Sequence, residues 1–192
     1  MKVILAIAAA LMLTLVSCTS YEPYARPYGF PRIEVPGPAE RSYTNFNNQT
    51  CPFTFEYPAG GNITRDVSDS CWVDIKFPRY SLTWHITYRD ADDSRNRASH
   101  FEDYRRLVYK HSKKATQITE EAISGPNGYG TLFELYGTVG TPAQLFYSDS
   151  SGQQIAMLSF YYRTAEKNDS LQPLTDYMKE ELRHMVQSVQ WK

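Results

Sequence analysis

Short segments of alternating apolar and polar residues, joined by short turns, constrain the fold of this chain more than any other feature. Three such segments follow one another in the second half, TLFELYG, AQLFYSD and IAMLSFYY, with turns at residues 137–142 and 149–153 between them. Alternation with a period of two is typical of strands that bury one face. Turns this short join antiparallel neighbours, so the pattern predicts an antiparallel sheet.

The first half contains two segments that share a cysteine, a run of alternating residues and a proline. CPFTFEYP begins at Cys51 and CWVDIKFP begins at Cys71. Each predicts a strand that ends at its proline, because proline cannot donate to a sheet ladder. SLTWHITY, residues 81–88, predicts a third strand, and residues 117–123 predict one more in the second half.

Two helices complete the expected fold. Ser99 and Glu102 fit a capping box, and apolar residues then recur with helical spacing. Pro173 suits the first turn of a second helix, whose apolar stripe continues to Val189. A helix with one apolar stripe needs a sheet face to cover. We therefore predict an α+β fold, with a mainly antiparallel sheet of about six to seven strands sandwiched by two helices.

The amino terminus is typical of an exported lipoprotein. Residues 3–16 are apolar except for Thr14, which gives a stretch too short to span a membrane but suited to a signal peptide. The stretch ends in LVSC, which resembles the bacterial lipobox and marks Cys18 as the acylated first residue of the mature protein. The alternative is an ordinary signal peptide with a coincidental cysteine, but no A-x-A-like cleavage site is present. We expect a signal peptide over residues 1–17.

Residues 18–46 predict an extended tether, because five prolines occur there and no apolar period does. Two interpretations stay open for it. The segment is a plain spacer, or it is a docking strip for a partner. The docking interpretation is based on the large side chains of Tyr24, Tyr28, Phe30 and Ile33, which are costly to leave in water. Residues 47–192 have the length of a single domain.

Composition and motifs argue against several function classes. The chain has 20 Lys+Arg and 21 Asp+Glu, so nothing indicates a nucleic-acid partner. The basic residues between Arg105 and Lys114 are interpreted as the solvated side of a helix. No nucleophile elbow, zinc-protease or phosphate-loop motif is present. Asp90, Asp92 and Asp93 could hold calcium but also suit a loop before a helix. We expect no cofactor, no metal and no catalytic residue.

Cys51 and Cys71 are the two thiols that remain if Cys18 carries lipid. Exported proteins usually bridge such pairs, so we predict a disulfide between them. A simple hairpin of the two cysteine-containing strands argues against it, because the thiols would then lie at opposite ends. The bridge becomes possible if the two strands are not direct neighbours, and both alternatives stay open.

In order along the chain, the lipobox, YARPYGFPRIEVP, CPFTFEYP, CWVDIKFPRY and WHITY resemble the GldD-type gliding-motility lipoproteins of the Bacteroidetes. The order of strands and helices also resembles the PsbP/Mog1-like fold. The resemblance implies a non-catalytic accessory or scaffold of gliding motility and type IX secretion, with other envelope proteins of these systems as partners.

A second function class stays open beside this one, an envelope enzyme or small-ligand-binding domain that uses the cleft between sheet and helix. The expected location is the outer membrane, through the lipid anchor and on the periplasmic face. Thr19, rather than aspartate, follows the lipidated cysteine and favours that membrane by analogy with other Gram-negative lipoproteins.

Overall fold

The computed structural model describes residues 33–67, 71–91, 96–163 and 168–192. These ranges contain two α-helices, α1 (Arg97–Tyr109) and α2 (Asn168–Ser188). They also contain ten strands: β1 (Tyr43–Asn47), β2 (Phe53–Pro58), β3 (Asn62–Val67), β4 (Trp72–Phe77), β5 (Leu82–Asp90), β6 (Ala115–Gly125), β7 (Gly128–Gly137), β8 (Ala143–Asp149), β9 (Gln154–Tyr162) and β10 (Gln190–Trp191). Short 3-10 turns occupy Pro38–Glu40, Pro78–Tyr80 and Lys110–Lys113.

Seven strands form one antiparallel sheet in the order β3-β4-β5-β9-β8-β7-β6. The short turns predicted from the sequence join β7 to β8 and β8 to β9 as expected. Gly137 has a φ of +106°, a conformation that a side chain would strain, and so allows the chain to leave β7. The α+β prediction, with a mainly antiparallel sheet of this size and two helices, is confirmed.

The larger hydrophobic core lies on one face of this sheet. Trp84 on β5 is fully buried and lies opposite Ile75 of β4 and Phe160 of β9. Helix α2 covers these residues with the apolar stripe predicted from the sequence, and its Met178 and Leu182 are fully buried. The period of two therefore decides which residues of each strand face α2.

Helix α1 packs on the opposite face, over one half of the sheet. Tyr104 and Val108 of α1 form a smaller buried cluster with Phe133 of β7 and Phe146 of β8. The tyrosine hydroxyl donates a hydrogen bond to the carbonyl of Leu158, at 3.3 Å. The two helices therefore lie on opposite faces of the sheet, as the sequence predicted.

A second, three-stranded sheet was not expected. Its order is β1-β2-β10, and all its strands are antiparallel. The predicted strand after Cys51 belongs to this sheet rather than to the sheet that holds β4. Its buried residues Phe53, Phe55 and Tyr57 join the larger core beside α2. Alternation in a sequence shows which face of a strand is buried, but it does not show which strand is the neighbour.

Both helices begin earlier than their sequence signals indicated. The N-cap of α1 is Asn96, whose side chain accepts a hydrogen bond from the backbone N–H of Ser99 at 3.0 Å, so the capping box at Ser99 was wrong. Helix α2 begins at Asn168, and Pro173 lies inside it. Proline near a helix start removes only one backbone hydrogen bond, which α2 tolerates because its later turns are deeply buried.

Candidate functional site

The most distinctive arrangement joins the amino-terminal segment to helix α2. Residues 33–41, here called the strap, precede β1 and lie along the larger core. Ile33 and Val35 are partly buried against that core. Gly37 and Glu40 close a short turn, in which the backbone N–H of Gly37 donates to Oε2 of Glu40 at 3.0 Å. The strap is therefore part of the folded domain.

Arg41 fastens the end of the strap to α2. Its guanidinium lies 2.5 Å from Oε2 of Glu180 and 3.4 Å from Oε1 of Glu181. The same group lies over the ring of Tyr177, 5.3 Å from the ring centre. One cation thus holds two adjacent carboxylates and an aromatic face of one helix, an arrangement that suits the planar guanidinium of arginine better than lysine.

Glu181 is the unusual member of this group, because it is a carboxylate at 1% exposure. Burial raises the pKa of Glu181 above its ordinary value, while the charge of Arg41 acts in the opposite direction. A buried carboxylate is costly without a cation beside it. The position of Arg41 is therefore coupled to the charge of Glu181.

The contact continues into β1. The ring of Tyr43 stacks on His184 of α2, with 3.6 Å between ring centres. His184 Nε2 in turn lies 2.8 Å from Oε2 of Glu56 on β2. Helix α2 is thus joined by polar and aromatic contacts to the strap, to β1 and to β2. We call the group formed by Arg41, Tyr43, Tyr177, Glu181 and His184 the clasp.

The structure brings Cys51 and Cys71 into the same neighbourhood. Both side chains are buried, and Sγ of Cys71 lies 3.5 Å from the carbonyl oxygen of Thr50, the residue before Cys51. Their strands β2 and β4 belong to different sheets, so the hairpin geometry that argued against a bridge does not occur. The disulfide stays a prediction.

Most residues of the predicted docking strip lie outside the described residues. These are Tyr24, Tyr28 and Phe30, and the lipidation candidate Cys18 also lies there. Ile33 is described, and it packs against the core rather than projecting freely. A groove of about 630 Å³ runs beside it, lined by strap residues and Arg79.

The sequence did not single out Arg41, Glu181 or the pairing of Asp74 with His85. Nδ1 of His85 lies 2.7 Å from Oδ1 of Asp74, its register partner on the neighbouring strand. Asp74 on β4 and His85 on β5 both face away from α2. Aligning the two predicted strands in register would therefore have shown that these residues are neighbours. The clasp had no such signal, because Arg41 and Tyr43 lie more than 130 residues before Tyr177, Glu181 and His184 in the chain.

The grouping of acidic, histidine and cysteine side chains and the cleft beside α1 bear on metal binding and catalysis. Within the ranges given above, no group of three or more His, Cys, Asp or Glu side chains is placed to hold a metal ion. Asp92 and Asp93 of the calcium candidate lie outside those ranges, while Asp90 accepts a hydrogen bond from Tyr88. The cleft between α1 and the sheet has a volume of about 110 Å³, below the roughly 300 Å³ of the smallest usual ligand pockets.

Comparison with known protein families decides the broader identity. A family model described as gliding motility lipoprotein GldD matches residues 20–191. The chain belongs to this family of gliding motility lipoproteins. The family resemblance predicted from the sequence is confirmed. Among the described residues, neither helix is both long enough and apolar enough to cross a membrane.

Solved structures give a more distant likeness. Cyanobacterial PsbP (CyanoP) from Synechocystis is 10% identical, with a TM-score of 0.47, over 84% of this chain and 99% of that chain. A protein from Bacteroides thetaiotaomicron is 13% identical, with a TM-score of 0.38, over 77% of this chain and 48% of its own. No curated protein matches the chain.

Proposed function

We propose that this protein is a non-catalytic, lipid-anchored accessory of the gliding machinery and of type IX protein secretion. The observation that carries the proposal is the family match over residues 20–191. The apolar start and the lipobox-like LVSC at Cys18 support anchoring through acyl chains. The outer membrane and its periplasmic face are the proposed location, with other envelope proteins of the two systems as partners.

The contacts of the clasp suit a connection that transmits mechanical force from the anchor to the domain. Arg41 holds the strap to α2 through two carboxylates, and Ile33 and Val35 are packed against the core. A pull on the amino-terminal segment therefore acts on the core of the domain and not on a loose loop. A scaffold within a moving machine needs this kind of connection, whereas a freely diffusing binding protein does not.

The tether before the strap is the proposed partner-docking segment. Tyr24, Tyr28 and Phe30 supply aromatic side chains, the type that most often dominates binding energy at protein interfaces. The groove of about 630 Å³ beside the strap is a separate candidate contact surface on the folded domain. A spacer without these side chains would serve equally well if no partner were bound.

The enzyme alternative receives less support from the geometry. The cleft between α1 and the sheet holds about 110 Å³, too small for most substrates. The Asp74–His85 pair lies on an open sheet face, and His85 has an exposed side chain (44%), so water is not excluded from it. Catalytic groups usually work in a water-excluded site.

The decisive test is a clean deletion in the native host, complemented with wild-type protein or with Cys18→Ser. We expect the deletion to stop surface motility and to reduce secretion through the type IX route, and in a host that does not glide only secretion should fall. Complementation by the wild type should restore both, and Cys18→Ser should not. Normal motility and secretion in the deletion strain would refute the proposal.

A second complementation separates docking from spacing. Replacing Tyr24, Tyr28 and Phe30 by serine keeps the length of the tether but removes its aromatic side chains. If the tether docks a partner, this variant should localise normally and still fail to restore motility, and co-purification of envelope proteins from detergent-solubilised membranes should be lost. Full restoration would show that the tether is a spacer.

A further inference from the structure

Positive charge is concentrated in helix α1 and the 3-10 turn that follows it. Residues 97–114 contain six Lys or Arg and two Asp or Glu, a net charge of +4, in a chain whose net charge is -1. The charge increases toward the end of this segment, where one surface carries Arg106, Lys110, Lys113 and Lys114, all exposed. We call these four residues the basic patch.

Three members of the basic patch have no ionic partner within the described part of the chain. Arg105, just outside the patch, pairs with Glu120 at 2.8 Å, and Arg106 pairs with Asp103 at 2.9 Å. Lys110, Lys113 and Lys114 make no such pair. Cations at the end of a helix are favoured by its dipole, but three of them within five residues also repel one another. A negatively charged surface would remove that repulsion.

Exposed apolar side chains accompany the basic patch. Leu107 is 53% exposed, the largest value for a bulky hydrophobic side chain among the described residues, and Tyr109 is 40% exposed. Helix α1 buries Tyr104 and Val108 against the sheet, which leaves Leu107 outside the buried stripe. Lysines beside exposed leucine and tyrosine are the combination that binds membrane interfaces, where stems and rings enter the headgroup region and the charges meet anionic lipid.

We propose that the basic patch, with Leu107 and Tyr109, docks on an anionic phospholipid surface, the same surface that the lipid anchor enters. This inference rests on the proposed function only in requiring that the domain be held near a membrane. Fourteen residues separate Cys18 from Ile33, a length that can span at most roughly 50 Å, so the anchor by itself leaves open which face of the domain meets the lipid. The basic patch would select one face.

The test uses the acylated mature protein with vesicles of phosphatidylcholine alone or with 30% phosphatidylglycerol. A fluorophore at Tyr109→Cys reports contact with lipids brominated in the acyl chain, and Asn45→Cys on β1 of the three-stranded sheet is the control position. We expect quenching at position 109 only in the vesicles that contain phosphatidylglycerol, and no quenching at position 45. Because each surface lysine contributes roughly fivefold, Lys110→Ala, Lys113→Ala and Lys114→Ala together should weaken the patch contact on the order of a hundredfold.

The outcomes separate this inference from the anchor. Flotation with pure phosphatidylcholine vesicles reports the lipid anchor alone, while the added quenching reports the patch. If the protein does not bind pure phosphatidylcholine vesicles, the anchor is absent, but binding to the phosphatidylglycerol vesicles still supports docking through the basic patch. Equal quenching on both vesicle types, equal quenching at positions 109 and 45, or an unchanged signal in the triple lysine variant would overturn the proposal. So would quenching that 0.5 M salt leaves intact, since interactions at exposed charges are screened by salt.

Discussion

Replacing Arg41 by methionine should destabilise the domain more than any other single change to the strap. Methionine keeps much of the side-chain length but removes the cation 3.4 Å from the buried carboxylate of Glu181. At an effective dielectric constant of about 20 the lost attraction would be about 5 kcal/mol. Glu181 limits that loss, because it can take up a proton instead of remaining charged.

Protonation sets the upper limit of the effect. Holding Glu181 neutral at pH 7, against its ordinary pKa of 4.5, costs about 3.4 kcal/mol at 1.36 kcal/mol for each pH unit. Because the variant also avoids the cost of partly desolvating the Arg41 guanidinium on folding, we expect a loss of about 2 to 3 kcal/mol at neutral pH. With a urea slope of about 2 kcal/mol per M, the unfolding midpoint should fall by roughly 1 to 1.5 M.

The stability lost in Arg41→Met should depend on pH, in a direction that follows from the pKa of Glu181. A carboxyl group whose folded pKa is raised favours the folded state below its ordinary pKa, and this contribution is lost as pH rises through the folded value. Burial raises the pKa of Glu181, and removing Arg41 should raise it further. The deficit of Arg41→Met should therefore be small near pH 4 and full near pH 7. Urea titrations at the two pH values measure it.

The matched control is Arg79→Met. Arg79 pairs with Glu34 of the same strap at 4.0 Å, but both side chains are more than 60% exposed, so the loss should stay below about 0.5 kcal/mol. The double variant Arg41→Met with Glu181→Gln should recover about 1 to 2 kcal/mol, because no buried charge is left unpaired. Strictly additive single variants, or an Arg41→Met protein as stable as the Arg79→Met protein, would refute the reasoning.

Three further predictions concern the cysteines and the partly buried Glu134. Non-reducing mass spectrometry of the mature protein should find Cys51 linked to Cys71, and reduction should cost about 3 kcal/mol for a loop of about 20 residues; complete alkylation without reductant would exclude the bridge. Cys18→Ser should abolish labelling by a fatty-acid analogue, and persistent labelling would contradict lipidation there. Burial tends to raise the pKa of Glu134, but hydrogen bonds from Tyr136 and Lys179 outweigh burial and lower it. The stabilisation that the charged Glu134 gives should therefore disappear as pH falls through its folded pKa, and Glu134→Gln should reduce the loss of thermal stability in acid.

Local periodicity was enough to predict both helices and six of the seven strands of the main sheet, all except β3. The strands after Cys71 and Ser81 and the three late strands follow directly from period-two alternation, and α2 follows from its apolar stripe. Each of these elements buries one face against the core, so its apolar residues recur with the period of a strand or a helix. That period can be read from a single short window of the sequence.

The rest depended on contacts between distant segments. β10 is two residues long and pairs with β2, so no window of sequence could reveal it. The clasp joins Arg41 to Glu181 across the whole domain, and a lone arginine after a proline-rich stretch has no periodic pattern. Asp74 and His85 lay within reach of prediction, since each follows from strand register once β4 and β5 are paired. Sequence patterns predict faces well and distant partners poorly.

The short strand β10 has a consequence for the order in which the protein folds. β2 pairs with β10 near the last residue of the chain, and the backbone N–H of Lys192 donates to the carbonyl of Pro52 at 2.7 Å. The Nζ of Lys192 also reaches the carbonyl of Asn48, again at 2.7 Å. A chain that emerges amino terminus first, from a ribosome or a translocon, cannot complete this sheet until Gln190 and Trp191 have emerged. Until then the edge of β2 that pairs with β10 stays open, and an open edge is a template for pairing with other chains. Because the closing contact joins residues more than 130 positions apart, we expect it to form late in folding.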